Sequence, residues 1–186
     1  ALGQITARLS RLVITSRKEE EVVAALRAPP KQIPSLEVSV EQFELAQLLP
    51  AAIAEKAKPL VRYHQHSDFM SPLASGSFLT GGMVVCPCSG STLSGIAHAS
   101  SMNLVQRSAD VHLKERRKLI LVPRETPLSI IQIDNMRKAA EAGAVILPAS
   151  PGWYHGVRSP QDLVDFVVAR ILDQLGVPHQ LMRRWG

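Results

Sequence analysis

Three short apolar runs constrain the fold of this chain more than any other feature of its sequence. They cover residues 83–88 (MVVCPC), 118–123 (KLILVP) and 144–149 (AVILPA), and a helical pattern separates each run from the next. A run that is apolar throughout is typical of a strand buried on both faces, and alternation of strands with helices favours parallel pairing. The sequence therefore predicts an α/β fold in which helices cover both faces of a parallel sheet.

Polar residues and glycine mark where the predicted helices begin and end. Asn103 is a candidate N-cap for the helix before the second run, and Gly143 is placed to terminate the helix after it. Ser159, followed by Pro160 at the first helical position, starts a last amphipathic helix. The apolar residues of that helix fall at helical spacing: Leu163, Phe166, Val167, Ile171 and Leu175.

The first third of the chain gives weaker patterns. Residues 12–15 (LVIT) indicate a strand, with Ser16 as the N-cap of a charged helix, and residues 59–64 (PLVRYH) are compatible with a short strand. The length of 186 residues fits one domain. We expect a single domain over residues 1–186, with residues 176–186 as a C-terminal tail.

Composition narrows the classes of function. Aromatic residues make up 4% of the chain and hydrophobic residues 46%, so aliphatic side chains must form the core. The net charge is +5, but the sequence has neither a long basic run nor aromatic residues interleaved with one, as nucleic-acid-binding surfaces do. No apolar stretch reaches the roughly 18 residues of a membrane helix, and no signal peptide is visible. We expect no nucleic-acid and no membrane partner.

The cysteines and histidines give no strong indication of a metal site. Cys86 and Cys88 are too close for an ordinary disulfide and have no second pair to complete a zinc site. We interpret them as small buried thiols, which fits a reducing cytoplasm. His64 and His66 form an H-x-H pattern without an acidic or cysteine partner at suitable spacing, and we interpret them as surface residues.

Unusual polar sequences follow each of the three apolar runs. Ser89-Gly90-Ser91-Thr92 follows the first run, Arg124-Glu125 the second, and Tyr154 lies shortly after the third. In open α/β sheets, ligands bind beyond the carboxyl ends of the strands. Hydroxyls and a glycine at a helix start suit a phosphate or a flavin.

Each of these strand ends also has a purely structural interpretation. The serines and threonine could simply cap a helix, Arg124 and Glu125 could form an ion pair at the strand end, and Tyr154 could close the core. Arg124 could instead bind a phosphate with two parallel hydrogen bonds, and Glu125 could act as an acid or a base. The residues alone leave both interpretations open.

Four segments together resemble the UbiX-type flavin prenyltransferases in order and spacing. They are ASGSFLTGGMVVCPCSGSTLSGIAH, NLVQRSADVHLKERRKLILVPRETPLS, NMRKAAEAGAVILPASPGWYHG and DLVDFVVARILDQLG, and the likeness runs from about Asp68 to Trp185. The combination L-K-E-R-R, then P-R-E-T-P, then G-x-Y-H is highly specific. The resemblance implies a Rossmann-like (flavodoxin-like) three-layer fold and a homo-oligomer, of the dodecamer kind, with active sites at subunit contacts.

The resemblance also implies an activity. Members of the family join a dimethylallyl group, delivered as dimethylallyl phosphate, to N5 and C6 of reduced FMN, and they need no metal. The prenylated FMN then passes to a partner decarboxylase, which acts on aromatic or unsaturated acids, as in ubiquinone biosynthesis. A prenylated-FMN-dependent decarboxylase is therefore an expected partner, and reduced FMN and dimethylallyl phosphate are the expected substrates.

The resemblance assigns roles to individual residues of this chain. Ser16 and Arg124 match FMN contacts, as do the four residues of the turn after the first run, Ser89, Gly90, Ser91 and Thr92. Tyr154 and Arg170 match ligands of the substrate phosphate, and Trp185 matches an aromatic residue that closes over the substrate. The catalytic set that the resemblance implies is Glu125, near the reacting flavin, with Lys114 and Arg107 around the phosphate.

These roles agree with the chemistry of an allylic phosphate. Breaking its C–O bond leaves an allylic cation and a phosphate dianion, and without a metal the dianion needs cationic side chains and hydrogen-bond donors. Lys114, Arg107, Arg170 and the Tyr154 hydroxyl would supply them. Glu125 or the released phosphate would take the proton from C6.

The sequence departs from the family pattern at its start. The chain opens with ALGQITARLS, without the family's Gly-Ala-Ser-Gly turn, and Arg17 replaces a lysine beside Ser16. The expectation is therefore a domain that lacks the family's first strand and that turn. Two alternatives to the prenyltransferase remain: an FMN-binding paralogue without catalysis, and a flavin-dependent cysteine decarboxylase.

Overall fold

The computed structural model of the chain describes residues 51–154, 156–182 and 184. The predicted strand at 12–15 and the site residues Ser16 and Trp185 lie outside the described residues. The chain divides into two compact units. Described residues 51–65 belong to one unit, and those from His66 onward belong to the other.

The described part of the first unit is a short helix and the chain that follows it. Helix α1 spans Ala51–Ala57, with Ala54 and Ala57 buried. The backbone N–H groups of Lys58, Leu60 and Val61 bond to carbonyls of that last helical turn, so residues 58–60 continue it as a turn. The strand considered for residues 59–64 is therefore wrong, because the backbone N–H groups of Leu60 and Val61 bond to the helix end and the described residues form no strand there.

The second unit contains a sheet of three parallel strands. Strand β1 spans Met83–Cys88, β2 spans Leu119–Pro123 and β3 spans Val145–Ile146, and they lie in the order β1-β2-β3. Met83 pairs with Leu119 and Ile120 pairs with Val145. The three apolar runs of the sequence are confirmed as strands, although the third forms ladder pairs over two residues only.

Helices connect and cover the strands. After a short 3-10 helix at Pro72–Ala74, the longer helices follow in chain order: α2 at Gly90–Ala97, α3 at Leu104–Lys114, α4 at Ile130–Glu141 and α5 at Pro160–Leu175. The caps predicted from the sequence are confirmed: the side chains of Asn103 and Ser159 accept hydrogen bonds from the first turns of α3 and α5. Gly143 follows α4 with φ of 108°, a left-handed conformation that favours glycine.

Two apolar clusters show that the sheet is the middle of three layers. On one face, Val85, Leu119 and Leu121 pack with residues of α2, α3 and α4. On the other face, Ile120 and Val122 pack against Ile171 of α5. Strand β2 is buried along its whole length because both of its faces are covered. The predicted three-layer α/β fold with a parallel sheet is confirmed.

The two edges of the sheet carry different parts of the chain. Because the strands are parallel, the residues after Cys88, Pro123 and Ile146 emerge at one edge, the carboxyl edge. At the opposite, amino edge, the backbone N–H of Met83 donates to the carbonyl of Lys118 over 2.9 Å.

Candidate functional site

The turn after β1 forms a compact group of hydroxyls at the start of α2. Ser89 is the N-cap, and its Oγ accepts from the backbone N–H of Thr92 over 3.3 Å. The same Oγ lies 3.0 Å from Thr92 Oγ1 and 3.1 Å from Ser91 Oγ. The first N–H groups of a helix are not used within it and carry a partial positive charge, so this turn offers donors to an anionic or polar ligand.

The turn after β2 meets the turn after β1 at Gly90. A Cβ atom placed on Gly90 would lie 3.7 Å from Glu125 Oε2 and 3.3 Å from Gln132 Nε2. The carboxylate that the sequence singled out therefore lies beside the helix start that it also singled out. We call Ser89, Gly90, Glu125 and Gln132 the carboxyl-edge cluster.

Gln132 is a member of this cluster that the sequence analysis missed. Its Oε1 accepts from the backbone N–H of Ser129 over 2.8 Å and lies 3.1 Å from Ser129 Oγ, which completes a capping box at the start of α4. Bound in this way, the side chain turns its amide nitrogen toward Gly90. The S-x-x-Q spacing was the available signal, but it indicates a helix start and not a ligand.

The carboxyl-edge cluster fits a flavin in its chemistry. Hydroxyls and helix N–H groups donate, Gly90 leaves the backbone open to close approach, and Gln132 adds an amide donor. The exposed side chain of Arg124 follows directly after β2, where it can supply positive charge. A flavin with its phosphate requires donors, a cation and an accessible backbone, and these residues provide all three.

A second group of candidates lies along α3 and holds the loop of residues 74–78. Arg107 Nε donates to the carbonyl of Ala74 over 3.2 Å, and its Nη1 binds Asp110 Oδ2 at 3.1 Å. Arg117 Nη1 donates to the carbonyl of Phe78 over 2.8 Å, and its Nη2 donates to the carbonyl of Gly76. Two arginines thus bind alternate carbonyls of one short loop.

Lys114 belongs to the same group. Its Nζ donates to Glu115 Oε1 over 2.5 Å, and this hydrogen bond lowers the pKa of Glu115. A Cβ atom placed on Gly76 would lie 3.0 Å from Lys114 Nζ, so the lysine is close to the loop backbone. We call Arg107, Lys114 and Arg117 the basic cluster.

The carboxyl-edge cluster and the end of the basic cluster occupy opposite edges of the sheet. Lys114 ends α3, four residues before Lys118 at the amino edge, whereas Glu125 follows the carboxyl end of β2. Strand β2, from Leu119 to Pro123, extends over roughly 13 Å. One copy of the chain therefore does not bring Lys114 and Glu125 together.

A third group lies where the chain after β3 meets α5. The rings of Tyr154 and Phe166 pack edge to face, with centroids 6.4 Å apart, and the absence of a side chain at Gly152 leaves room for them. Arg170, one turn after Phe166, lines a cavity of about 270 Å³ beside β3. Its Nη1 binds Asp173 Oδ2 at 3.1 Å, and about half of its side chain is exposed. Tyr154 and Arg170 thus lie on one face of α5.

The two cysteines and His112 lie within the fold and have no partner suited to a metal site among the described residues. Burial raises the pKa of Cys86, and burial together with the neighbouring Cys86 raises the pKa of Cys88 to about 12. Both thiols are free. The buried His112 lies 2.8 Å from Thr80 Oγ1 and 2.7 Å from the carbonyl of Ser108. In the part of the chain that is described, no group of three or more histidine, cysteine or acidic residues could hold a metal ion.

Nor does any helix among the described residues combine the length and the apolar character needed to cross a bilayer.

A family model and curated relatives match this chain. The model named Flavoprotein matches residues 13–172. A flavin prenyltransferase UbiX of Halalkalibacterium halodurans is 53% identical over 68% of this chain and 61% of its own length. Proteins of the same name are 46% identical in Pseudomonas aeruginosa, over 91% of this chain and 83% of theirs, and 39% identical in Methanocaldococcus jannaschii, over 100% and 94%.

Solved structures match the fold. A crystal structure of a dodecameric FMN-dependent UbiX-like decarboxylase from Escherichia coli O157:H7 has a TM-score of 0.66 and 44% identity, over 73% of this chain and 72% of that chain. A crystal structure of AnUbiX (PadA1) in complex with FMN and dimethylallyl pyrophosphate has a TM-score of 0.66 and 43% identity, over 74% and 71%. The sequence identity of 43–44% accompanies the likeness in fold.

Proposed function

Since this chain belongs to the flavoprotein family and, within it, to the UbiX flavin prenyltransferases, we propose that it joins the dimethylallyl group of dimethylallyl phosphate to reduced FMN. The observation that carries the proposal is the meeting of Glu125 and Gln132 with the start of α2 at Gly90. A flavin placed there would have a carboxylate beside its ring. A relative whose structure holds FMN and dimethylallyl pyrophosphate supports a flavin and a dimethylallyl ester as the ligands.

FMN is assigned to the carboxyl edge. The turn formed by Ser89, Gly90, Ser91 and Thr92 would bind it through hydroxyls and helix N–H groups, and Arg124 would pair with its negative charge. Ser16 is proposed as a further contact. Reduced FMN supplies the two nucleophilic ring positions, N5 and C6, at which the dimethylallyl group is attached.

The leaving phosphate is assigned to cationic and hydroxyl side chains. Arg107 and Lys114 on α3 and Tyr154 and Arg170 beside α5 would bind its oxygens and so stabilise the charge that develops when the C–O bond breaks. Trp185 would cover the substrate and exclude water. Glu125, 3.7 Å from the space that Gly90 leaves open, would accept the proton from C6.

This assignment requires more than one copy of the chain. Lys114 and Glu125 lie at opposite edges of one sheet, so a complete site needs the basic cluster of a neighbouring copy. Large apolar side chains beside the site are exposed, including Ile130 at 70%, Ile131 at 69% and Leu79 at 83%. Such side chains are typical of a protein interface. The E. coli relative is dodecameric, and we propose a homo-oligomer of that kind here.

The product would be consumed elsewhere. Prenylated FMN is proposed to pass to a decarboxylase that uses it as a cofactor.

Two free thiols with raised pKa values are consistent with a reducing cytoplasm, to which we assign the protein.

The test is a transfer assay without air. The protein is mixed with reduced FMN and either dimethylallyl phosphate or dimethylallyl diphosphate, with a chelator present, and the flavin is analysed by mass spectrometry. A flavin heavier by C5H8 is expected. Bound FMN that never gains this mass would identify a flavin-binding paralogue, and carbon dioxide released from a cysteinyl substrate would identify a decarboxylase; both results contradict the proposal.

A further inference from the structure

The carboxylate of Asp173 connects Arg170, a proposed contact of the substrate phosphate, with the C-terminal segment that follows α5. Its Oδ2 accepts a hydrogen bond from Arg170 Nη1 over 3.1 Å. Its Oδ1 lies 3.0 Å from His179 Nε2 and accepts from Arg184 Nη2 over 2.6 Å. Both oxygens are therefore used, one by α5 and the other by the residues that follow α5.

The hydrogen bonding fixes the tautomer of His179. Its Nδ1 lies 3.3 Å from the backbone N–H of Leu181 and accepts from it, so Nε2 carries the proton and donates to Asp173. The His179 side chain is 1% exposed, which means that packing holds this donor in place. Burial raises the pKa of Asp173, but the hydrogen bonds from Arg184 and His179 outweigh it, and the pKa ends below its ordinary value. The carboxylate is ionised at neutral pH.

We propose that Asp173 is a positioning residue, which orients the Arg170 guanidinium for the substrate phosphate and anchors His179 and Arg184 through the same carboxylate. This inference rests on the proposed function, because Arg170 needs a fixed orientation only if it binds the phosphate. The Arg170 side chain is half exposed, and one Nη bound to Asp173 leaves the other donors of the guanidinium for a ligand. An arginine held in place in advance loses less conformational entropy when it binds.

A simpler role predicts different results. If Asp173 only anchored the C-terminal segment, its removal would lower stability and would act on the substrate through Trp185, whether or not Arg170 is present. If it orients Arg170, its removal would weaken the binding of dimethylallyl phosphate and leave the binding of FMN unchanged, because the FMN contacts lie at the carboxyl edge. An Arg170→Ala background separates the two roles, because only the anchoring role leaves an effect of Asp173 on the substrate there.

The first experiment compares Asp173→Asn with the unchanged protein. We expect the KM for dimethylallyl phosphate to rise by about tenfold, as for the loss of one oriented hydrogen bond. We expect kcat to fall as well, because Arg170 also stabilises the charge on the leaving phosphate, and the Kd for FMN to stay nearly unchanged. Asp173→Glu should recover part of the loss, because the charge returns in a displaced position. The matched control is Asp134→Asn on α4, which removes another i,i+3 partner of an arginine, Arg137 at 3.8 Å, and should change neither constant.

The second experiment adds Arg170→Ala. In that background Asp173→Asn should have no further effect on the KM for dimethylallyl phosphate, because its action passes through Arg170. An unchanged KM in the single variant, or full additivity in the double variant, would overturn the inference. Calorimetric Kd values for dimethylallyl phosphate give the same comparison without turnover. If the protein without substitutions binds dimethylallyl phosphate but forms no product, the proposed function is contradicted, while the inference about Asp173 is still tested by these Kd values. If Asp173→Asn does not fold, Asp173→Glu carries the comparison.

Discussion

At the scale of single residues, Gln132 shows how one side chain can serve both the fold and the site. Its Oε1 completes the capping box of α4, and its Nε2 lies near Gly90 beside Glu125. A glutamate at position 132 can still accept the hydrogen bond from the Ser129 backbone, because glutamate and glutamine both occupy the fourth position of a capping box. It cannot replace the amide donor. The two roles can therefore be separated by one substitution.

Gln132→Glu should retain stability and lose affinity for FMN. The new carboxylate would lie beside Glu125 and the proposed flavin, and like charges at this distance repel, so we expect at least about a tenfold rise in Kd. Fluorescence titration with FMN measures it, and thermal unfolding checks the helix. Gln161→Glu, an exposed change at the start of α5, is the control. Equal affinity in Gln132→Glu would show that FMN does not bind beside this residue.

At the scale of secondary-structure elements, the close approach of α2 and α3 depends on one glycine. A Cβ atom on Gly95 would overlap the side-chain amide of Gln106, which is buried and accepts from the backbone N–H of Met102 over 2.8 Å. This contact fixes how the helix that starts at Ser89 lies against the helix that carries Arg107 and Lys114.

Gly95→Ala should lower the free energy of unfolding by about 1 kcal/mol. The gain in helix propensity is about 1 kcal/mol, and it is outweighed by displacement of the buried Gln106 and loss of its hydrogen bond. Urea unfolding measures the change. In a Gln106→Ala background the overlap is absent, and the same substitution should become stabilising. A stabilising effect of Gly95→Ala in the unchanged chain would contradict the packing described here.

The buried side chain of His112 links α3 to the chain that enters β1. Its Nδ1 lies 2.7 Å from the carbonyl of Ser108 and Nε2 lies 2.8 Å from Thr80 Oγ1, so the neutral form of His112 donates to the first and accepts from the second. Burial lowers its pKa from the ordinary value of 6.5, assisted by the charge of Arg117 and partly opposed by hydrogen bonds to backbone groups. Protonation would require Nε2 to lose its acceptor role.

The pH dependence of stability follows from this pKa. Below pH 6.5 the unfolded chain binds a proton at His112 that the folded chain binds only at lower pH. The contribution of His112 is therefore complete above pH 6.5 and is lost as pH falls through the lowered folded pKa. Unfolding at several values from pH 8 to pH 5 should show this decline, and His112→Gln should reduce it. His98→Gln, at an exposed position, should leave the decline as it is; an unaffected slope in His112→Gln would contradict this account.

The elements themselves were largely predictable from the sequence. Strands β1 and β2 are continuous apolar runs, and the caps at Asn103 and Ser159 are polar residues directly before helical patterns. Local chemistry decides such features. The strand considered at residues 59–64 failed because its backbone groups extend a helix end, which depends on hydrogen bonds that residue type does not determine.

The site was less predictable than the elements. The meeting of Glu125 with Gly90 follows from neighbouring parallel strands, and the sequence analysis had placed both residues directly after strands. The proposed role of Asp173 depends on where His179 and Arg184 fold back onto α5, and no local pattern determines a contact between a helix and the chain that follows it. Tertiary packing decides such contacts.

At the scale of the whole molecule, the proposed site is divided between the two edges of the sheet. Lys114 ends α3 near the amino edge, and Glu125 follows β2 at the carboxyl edge. The central claim is that two copies of the chain complete one site, with the carboxyl edge of one copy and the basic cluster of another. Neither copy alone would hold both the flavin and the leaving phosphate.

Complementation between two inactive variants tests this claim most directly. Lys114→Ala and Glu125→Gln should each reduce formation of prenylated FMN at least about a hundredfold as pure oligomers. When the two variants are assembled together in equal amounts, about a quarter of the sites combine an intact Lys114 with an intact Glu125 from different copies. The account predicts that mixed oligomers recover about that fraction of the original rate. Mixed oligomers that remain as inactive as either variant would show that both residues act within one copy, which contradicts it.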